Sequence, residues 1–127
     1  MKVLILSNNE LKEQEIENTL EALQKVVGGY IEIPYLSETL AKNDIDIIIN
    51  DEGKFIEGLR AEIAIVKDGT NEVLDVVMGN CIFASHNDEG DTVSLTDEQI
   101  AIVQNELKME AVLTVNGKSG IAKVLFI

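Results

Sequence analysis

The sequence predicts an α+β fold: a mainly antiparallel sheet with about two helices packed on it, in a single domain. Three observations carry this. Short apolar runs rich in β-formers recur between clusters of turn residues. Only residues 20–27 and 95–108 keep a helical period. A length of 127 residues suits one core.

In chain order, the run "VLIL" (3–6) reads as a buried strand, and "SNNELKEQEIE" as a turn and return strand with Ile16 inward. Asn18 or Thr19 can cap a helix whose Leu20, Leu23, Val26 and Val27 form one stripe, ending at Gly28. "YIEIPYL" alternates like a strand, and Pro34, which has no N–H, puts it at an edge or ends it. "SETLAKNDI" is a polar connection with room for a helical turn. "DIDIIIN" is a strand, and "DEGK" a turn in which Gly53 is free to take positive φ. "KFIEGLRAEIAIV" has mixed rhythm and precedes a turn at "KDGTNE". "VLDVVMGNCIFAS" predicts one long central strand kinked at Gly79. After the polar turn "HNDEGDTVS" comes the clearest helix, with Thr96 as cap, Gln99 completing a capping box, and Ile100, Val103 and Leu107 on one face. Asn116-Gly117 then signals a terminal hairpin.

Composition narrows the function classes. Aromatic residues are 4% of the chain and Trp is absent, so the core is aliphatic and base stacking has little to work with. With 10 Lys and Arg against 23 Asp and Glu, the net charge is -13, which repels phosphate backbones and argues against direct nucleic-acid binding. The acidity is a solubilising surface or, as a sharper reading, an imitation of DNA. The single cysteine, Cys81, allows no internal disulfide, and no apolar run is long enough for a signal peptide or a membrane span. The expected location is the cytoplasm.

Motifs for chemistry are scarce. Gly28-Gly29 follows a helix and precedes a strand, the wrong order for a phosphate loop. The stretch 87–91 resembles a calcium loop, but Gln99 stands where a bidentate Glu is needed. His86 and Cys81 lack the further ligands of a zinc site. No catalytic constellation emerges, so neither an enzyme nor a cofactor is expected. Arg60, the only arginine, pairs with Glu57 or Glu62, or offers a forked contact to a ligand phosphate or carboxylate.

Three stretches, "LEALQKVVGGYIEI", "IIINDEGK" and "DVVMGNCIFASHNDEGDTVSLTDEQI", resemble the family described as domain of unknown function 3846. Family-like sequence runs over about 18–107, with an extra C-terminal hairpin at 111–127. "GLRAEIAIV" departs from the family pattern: Arg60-Ala61 is present without the Pro and Asn that usually precede it. Gly79-Asn80-Cys81 stands where the family has Gly-Thr-Phe.

The resemblance implies an accessory protein of phages, plasmids or prophages of Gram-positive bacteria, working in the host cytoplasm. The leading expectation is a non-enzymatic binding protein that inhibits host defence by gripping a protein partner, through a sheet edge or through the helix carboxylates Asp97, Glu98 and Glu106. The alternative is a module sequestering a small nucleotide in a pocket lined by Tyr30, Asn50, Arg60, Asn80 and His86. An acidic DNA mimic ranks below both. The Pro34 edge and the terminal hairpin also suggest a homodimer.

Overall fold

The computed structural model describes residues 1–127. In order come β1 (Lys2–Ser7), β2 (Glu10–Glu15), α1 (Leu20–Val27), β3 (Ile31–Glu32), α2 (Glu38–Lys42), β4 (Ile45–Asn50), a 3₁₀ turn (Gly53–Phe55), β5 (Ala61–Val66), β6 (Val73–Met78), β7 (Cys81–His86), β8 (Thr92–Val93), α3 (Asp97–Glu106), β9 (Glu110–Val115) and β10 (Lys118–Phe126). The class is α+β and mainly antiparallel as expected, but with three helices and two sheets. No helix is long and apolar enough to cross a membrane.

The first sheet runs β2-β1-β7-β4-β3, with β8 added to the end of β7. Strands β1 and β4 are near-continuous apolar runs because both faces of this sheet are covered. On one face, Val3, Ile5, Ile48, Ile82 and Ala84 pack against Leu23 and Val27 of α1. On the other, Leu4, Leu6, Ile45, Ile47 and Phe83 meet Ile63, Ile65 and Leu125 of the second sheet, together with Ile100 and Val103 of α3 and its C-cap Leu107. Each fully buried aliphatic side chain contributes about 1.5–3 kcal/mol.

Local chemistry explains the helices. Thr19 Oγ1 accepts the Ala22 N–H at 3.1 Å, and Gly28 ends α1 at φ 83°, its N–H returning to Gln24. Ser37 caps α2, a five-residue helix where the sequence suggested at most a turn. Thr96 and Gln99 close the expected capping box on α3.

The second sheet runs β6-β5-β10-β9, and its β5–β10 pair is parallel. Here the structure differs from the single kinked strand expected over 73–85. The apolar run 73–85 is not one kinked strand: β6 is an edge of the second sheet and β7 the middle of the first, and Gly79, at φ 85°, makes the switch. The terminal hairpin, expected as an extension of the family-like region, is integral to this sheet. β10 lies in the interior of its sheet, with Leu125 and Ala122 fully buried. Gly53 also departs from the expectation. It does not use positive φ; it is required because a Cβ there would fall 2.7 Å from the Met78 carbonyl oxygen.

Candidate functional site

The two sheets are joined by a buried carboxylate. Pairing of β5 with β6 steps from Ala61↔Met78 to Ile63↔Val77, leaving Glu62 as an extra, bulged residue. The bulge turns Glu62 toward the first sheet instead of away from it. Its side chain has no exposed surface. Oε2 accepts the Asn8 N–H at 2.9 Å and Oε1 the Asn9 N–H at 2.8 Å. Both asparagines hold positive φ in the β1–β2 turn, a conformation Asn tolerates better than most residues.

Arg60 stands over Glu62 with Nε 3.4 Å from Oε2, and it also donates from Nη2 to the Ile121 carbonyl of β10. Beside it Asn9 Nδ2 donates to Glu110 at 2.6 Å, and Lys123 reaches the same carboxylate at 3.3 Å. The Asn9 amide, and then the Lys123 ammonium, hold the Glu110 carboxyl below the usual carboxylate range. Asn9 Oδ1 is buried without a donor. Arg60 opens onto a cleft of about 540 Å³ between the β1–β2 turn, residues 58–61 and the β9–β10 hairpin.

The five expected ligand residues do not share this cleft; they divide among three places. Asn50 and Asn80 serve the C-terminus of α1: their Nδ2 groups donate to Val27 O at 3.1 Å and Val26 O at 3.3 Å, carbonyls a helix end leaves unpaired. Asn50 lies so close to Gly29 that a Cβ there would be 2.9 Å from its amide. Tyr30 adjoins this region through its backbone, whose carbonyl accepts the Asp51 N–H, but its ring is exposed. Arg60 is alone among the five in its cleft.

His86 ends β7 and sits between Asp46, 3.0 Å from Nδ1, and Asp44, 3.5 Å from Nε2. Cys81 begins the same strand, about 17 Å away at strand rise, so the two cannot act as a dyad. Burial, and then the charge of Glu62, push the Cys81 thiol up, which makes it a poor nucleophile. In the turn that resembled a calcium loop, Asn87 Oδ1 is already engaged by the N–H groups of Glu89 and Asp91.

The helix carboxylates do not form one array. Asp97 and Glu106 are nine positions apart, so they point about 180° apart around α3. Asp97 is bonded to Lys2 at 3.0 Å, Glu98 is exposed, and Glu106 is half-buried.

The edge that Pro34 signals in the sequence lies along β3 and β4, and its exposed aromatic residues were not all foreseen. Tyr30, Tyr35 and Phe55 are 72%, 73% and 86% exposed. Phe55, Pro34 and Leu36 line one hollow of about 200 Å³ there. Pro34, Tyr35 and Ile33 line a second, of about 190 Å³, which His86 closes. β3 pairs with β4 only through Ile31 and Glu32, and from Ile33 onward, toward Pro34, the chain leaves the ladder. That departure turns Ile33 and Tyr35 outward, although the alternation of "YIEIPYL" groups them with the half-buried Ile31. The signal in the sequence was Pro34 beside two tyrosines.

No curated protein and no solved structure matches the chain. A family model matches residues 1–108, so its span ends before β9 and excludes the hairpin that completes the second sheet and walls the Arg60 cleft. On that match, the chain belongs to the family described as domain of unknown function 3846.

Proposed function

We propose that this chain is a non-enzymatic binding protein, an accessory of a phage or other mobile element, which captures a host protein at the β3–β4 edge and so inhibits host defence. The observation that carries the reading is the exposure of Tyr30, Tyr35 and Phe55. The chain has two Tyr, three Phe and no Trp, so three of its five aromatic rings are exposed in the segments that flank β3 and follow β4. Exposed aromatics beside shallow hollows have the chemistry of interface anchors, which bury large area at low entropic cost. Glu32, Asp51 and Glu52 lie along the same edge, so a partner with basic residues around an apolar centre suits it.

The other readings have less support. Sequestration of a nucleotide by Tyr30, Asn50, Arg60, Asn80 and His86 together lacks a shared pocket. Partner gripping through the helix carboxylates Asp97, Glu98 and Glu106 lacks a common face, and an acidic DNA mimic would need such a face as well. The test is affinity capture from lysate of a Gram-positive host, with mass spectrometry of what is retained. Wild type is compared with a Tyr30→Ser, Tyr35→Ser, Phe55→Ser variant and with an Asp97→Asn, Glu98→Gln, Glu106→Gln variant. One protein retained by wild type and by the helix variant, and lost from the aromatic variant, supports the reading. Equal retention by all three rejects it.

A further inference from the structure

The geometry points to a second binding site, independent of partner capture: the Arg60 cleft takes a small molecule that carries an oxyanion, carboxylate or phosphate, on an apolar body. The first reason is charge. The 13 residues lining the cleft include Arg60 and Lys118 and no carboxylate, in a chain of net charge -13. Four other hollows of the surface each include at least one Asp or Glu. An anion approaching this protein is repelled nearly everywhere, and this cleft is where that repulsion is locally relieved.

The second reason is preorganisation. Arg60 is held from behind by buried Glu62 and by the Ile121 carbonyl, while both Nη1–H donors have no protein partner. A guanidinium paired in this way has less side-chain freedom left to lose when a ligand arrives, and its planar fork suits two oxygens of one oxyanion. The backbone N–H groups of Gly58 and Leu59, in the same wall, also donate to no protein acceptor. Glu62 offsets part of the Arg60 charge, so Lys118 at the hairpin supplies the net positive charge.

The third reason is the remainder of the lining. Leu59, Met78, Leu113 and Ile121 offer apolar surface beside the cations, which a bare inorganic ion would leave unused. Because Leu113, Lys118 and Ile121 lie beyond residue 108, the site needs the hairpin as well as the stretch the family model matches, which supplies Arg60, Gly58 and Leu59.

The test is an amide chemical-shift titration of the isotope-labelled full chain. The probes are phenyl phosphate, benzoate and, as neutral control, benzyl alcohol. Saturable shifts centred on Gly58, Leu59 and Gly120 are expected with one or both oxyanions, and which of them binds more tightly decides between phosphate and carboxylate. Benzyl alcohol is expected to give none. Arg60→Gln should weaken binding about tenfold or more. Since Arg60 also covers Glu62, two variants at exposed positions keep the test decisive. Lys118→Gln removes the outer charge, and Gly120→Leu fills the cleft from a position whose Cβ would sit 3.8 Å from Arg60 Nη2, an ordinary contact. Both are expected to stay folded and to weaken binding. No saturable shift with either oxyanion, equal shifts with the alcohol, or undiminished binding in both exposed variants overturns the assignment.

Discussion

Glu62 Oε1 accepts the backbone N–H of Asn9 at 2.8 Å, and with that bond one sheet holds the turn of the other. The carboxylate is fully buried and also serves the Asn8 N–H and Arg60. Removing it strands two backbone donors and a guanidinium. Glu62→Ala is expected to cost about 3–5 kcal/mol in chemical denaturation, the range for breaking one side of a buried pair. Glu62→Gln keeps one acceptor oxygen and should cost less. A loss under about 1 kcal/mol for the alanine variant, the scale of an exposed pair, would show that the bridge does not matter.

The C-terminus of α1 depends on Asn50, which is 5% exposed, donates to Val27 O and accepts from Glu52 N. Asn50→Ala leaves both groups without partners and is expected to cost about 1–3 kcal/mol in thermal or denaturant unfolding. Asn80→Ala, which removes one bond of 3.3 Å, is expected to cost less.

The hairpin beyond the family match is tested by Leu125, whose side chain has no exposed surface and sits in the main core with Ile63 and Phe83. Leu125→Ala is expected to cost about 2–5 kcal/mol. A chain ending at residue 108 would leave Ile63 and Ile65 without their neighbours on β10, and is expected to lose cooperative melting by circular dichroism. A cooperative melt of the short chain near the wild-type temperature would contradict the placement of β10.

Acid should weaken the second sheet. Asp75 is held below the ordinary aspartate range first by its hydrogen bond from Lys54, and Glu110 is depressed by Asn9 and Lys123. A depressed folded-state pKa contributes stability above the unfolded value and loses it as pH falls through the folded one. Denaturation midpoints are therefore expected to be level above about pH 5 and to fall below about pH 4. Asp75→Asn should flatten part of that fall. Lys2, raised by Asp97 and Glu13, acts at the other end of the scale: its contribution is complete below the ordinary lysine value and is lost only as pH rises past it.

What was legible in the sequence is what neighbouring residues decide. Thr19 and Gly28 bound α1, Thr96 and Gln99 start α3, and Asn116-Gly117 turns the last hairpin with φ 52° and 77°. Each is a short-range hydrogen bond or backbone preference. What was not legible depends on distant pairing. Nothing near Gly79 says that β6 and β7 enter different sheets, and nothing in β10 says that its partner is β5, more than 50 residues away. The sequence offered Glu57 or Glu62 as a partner for Arg60, and in the structure it is Glu62. It could not show that a bulge would bury this carboxylate under Asn8 and Asn9. The expected ligand set failed to converge for the same reason. Asn50 and Asn80 are drawn to the end of α1, a demand visible only once α1 packs on β4 and β7.

The most direct test of the central claim uses the captured partner in purified form and measures its affinity for wild type and for the Tyr30→Ser, Tyr35→Ser, Phe55→Ser variant by biolayer interferometry. Loss of exposed anchors is expected to weaken binding by about thirtyfold or more, on the scale of about 2 kcal/mol or more for interface hot spots, while unfolding of the variant is unchanged. Affinity within about threefold of wild type for a folded variant would contradict the account and move the interface away from the β3–β4 edge.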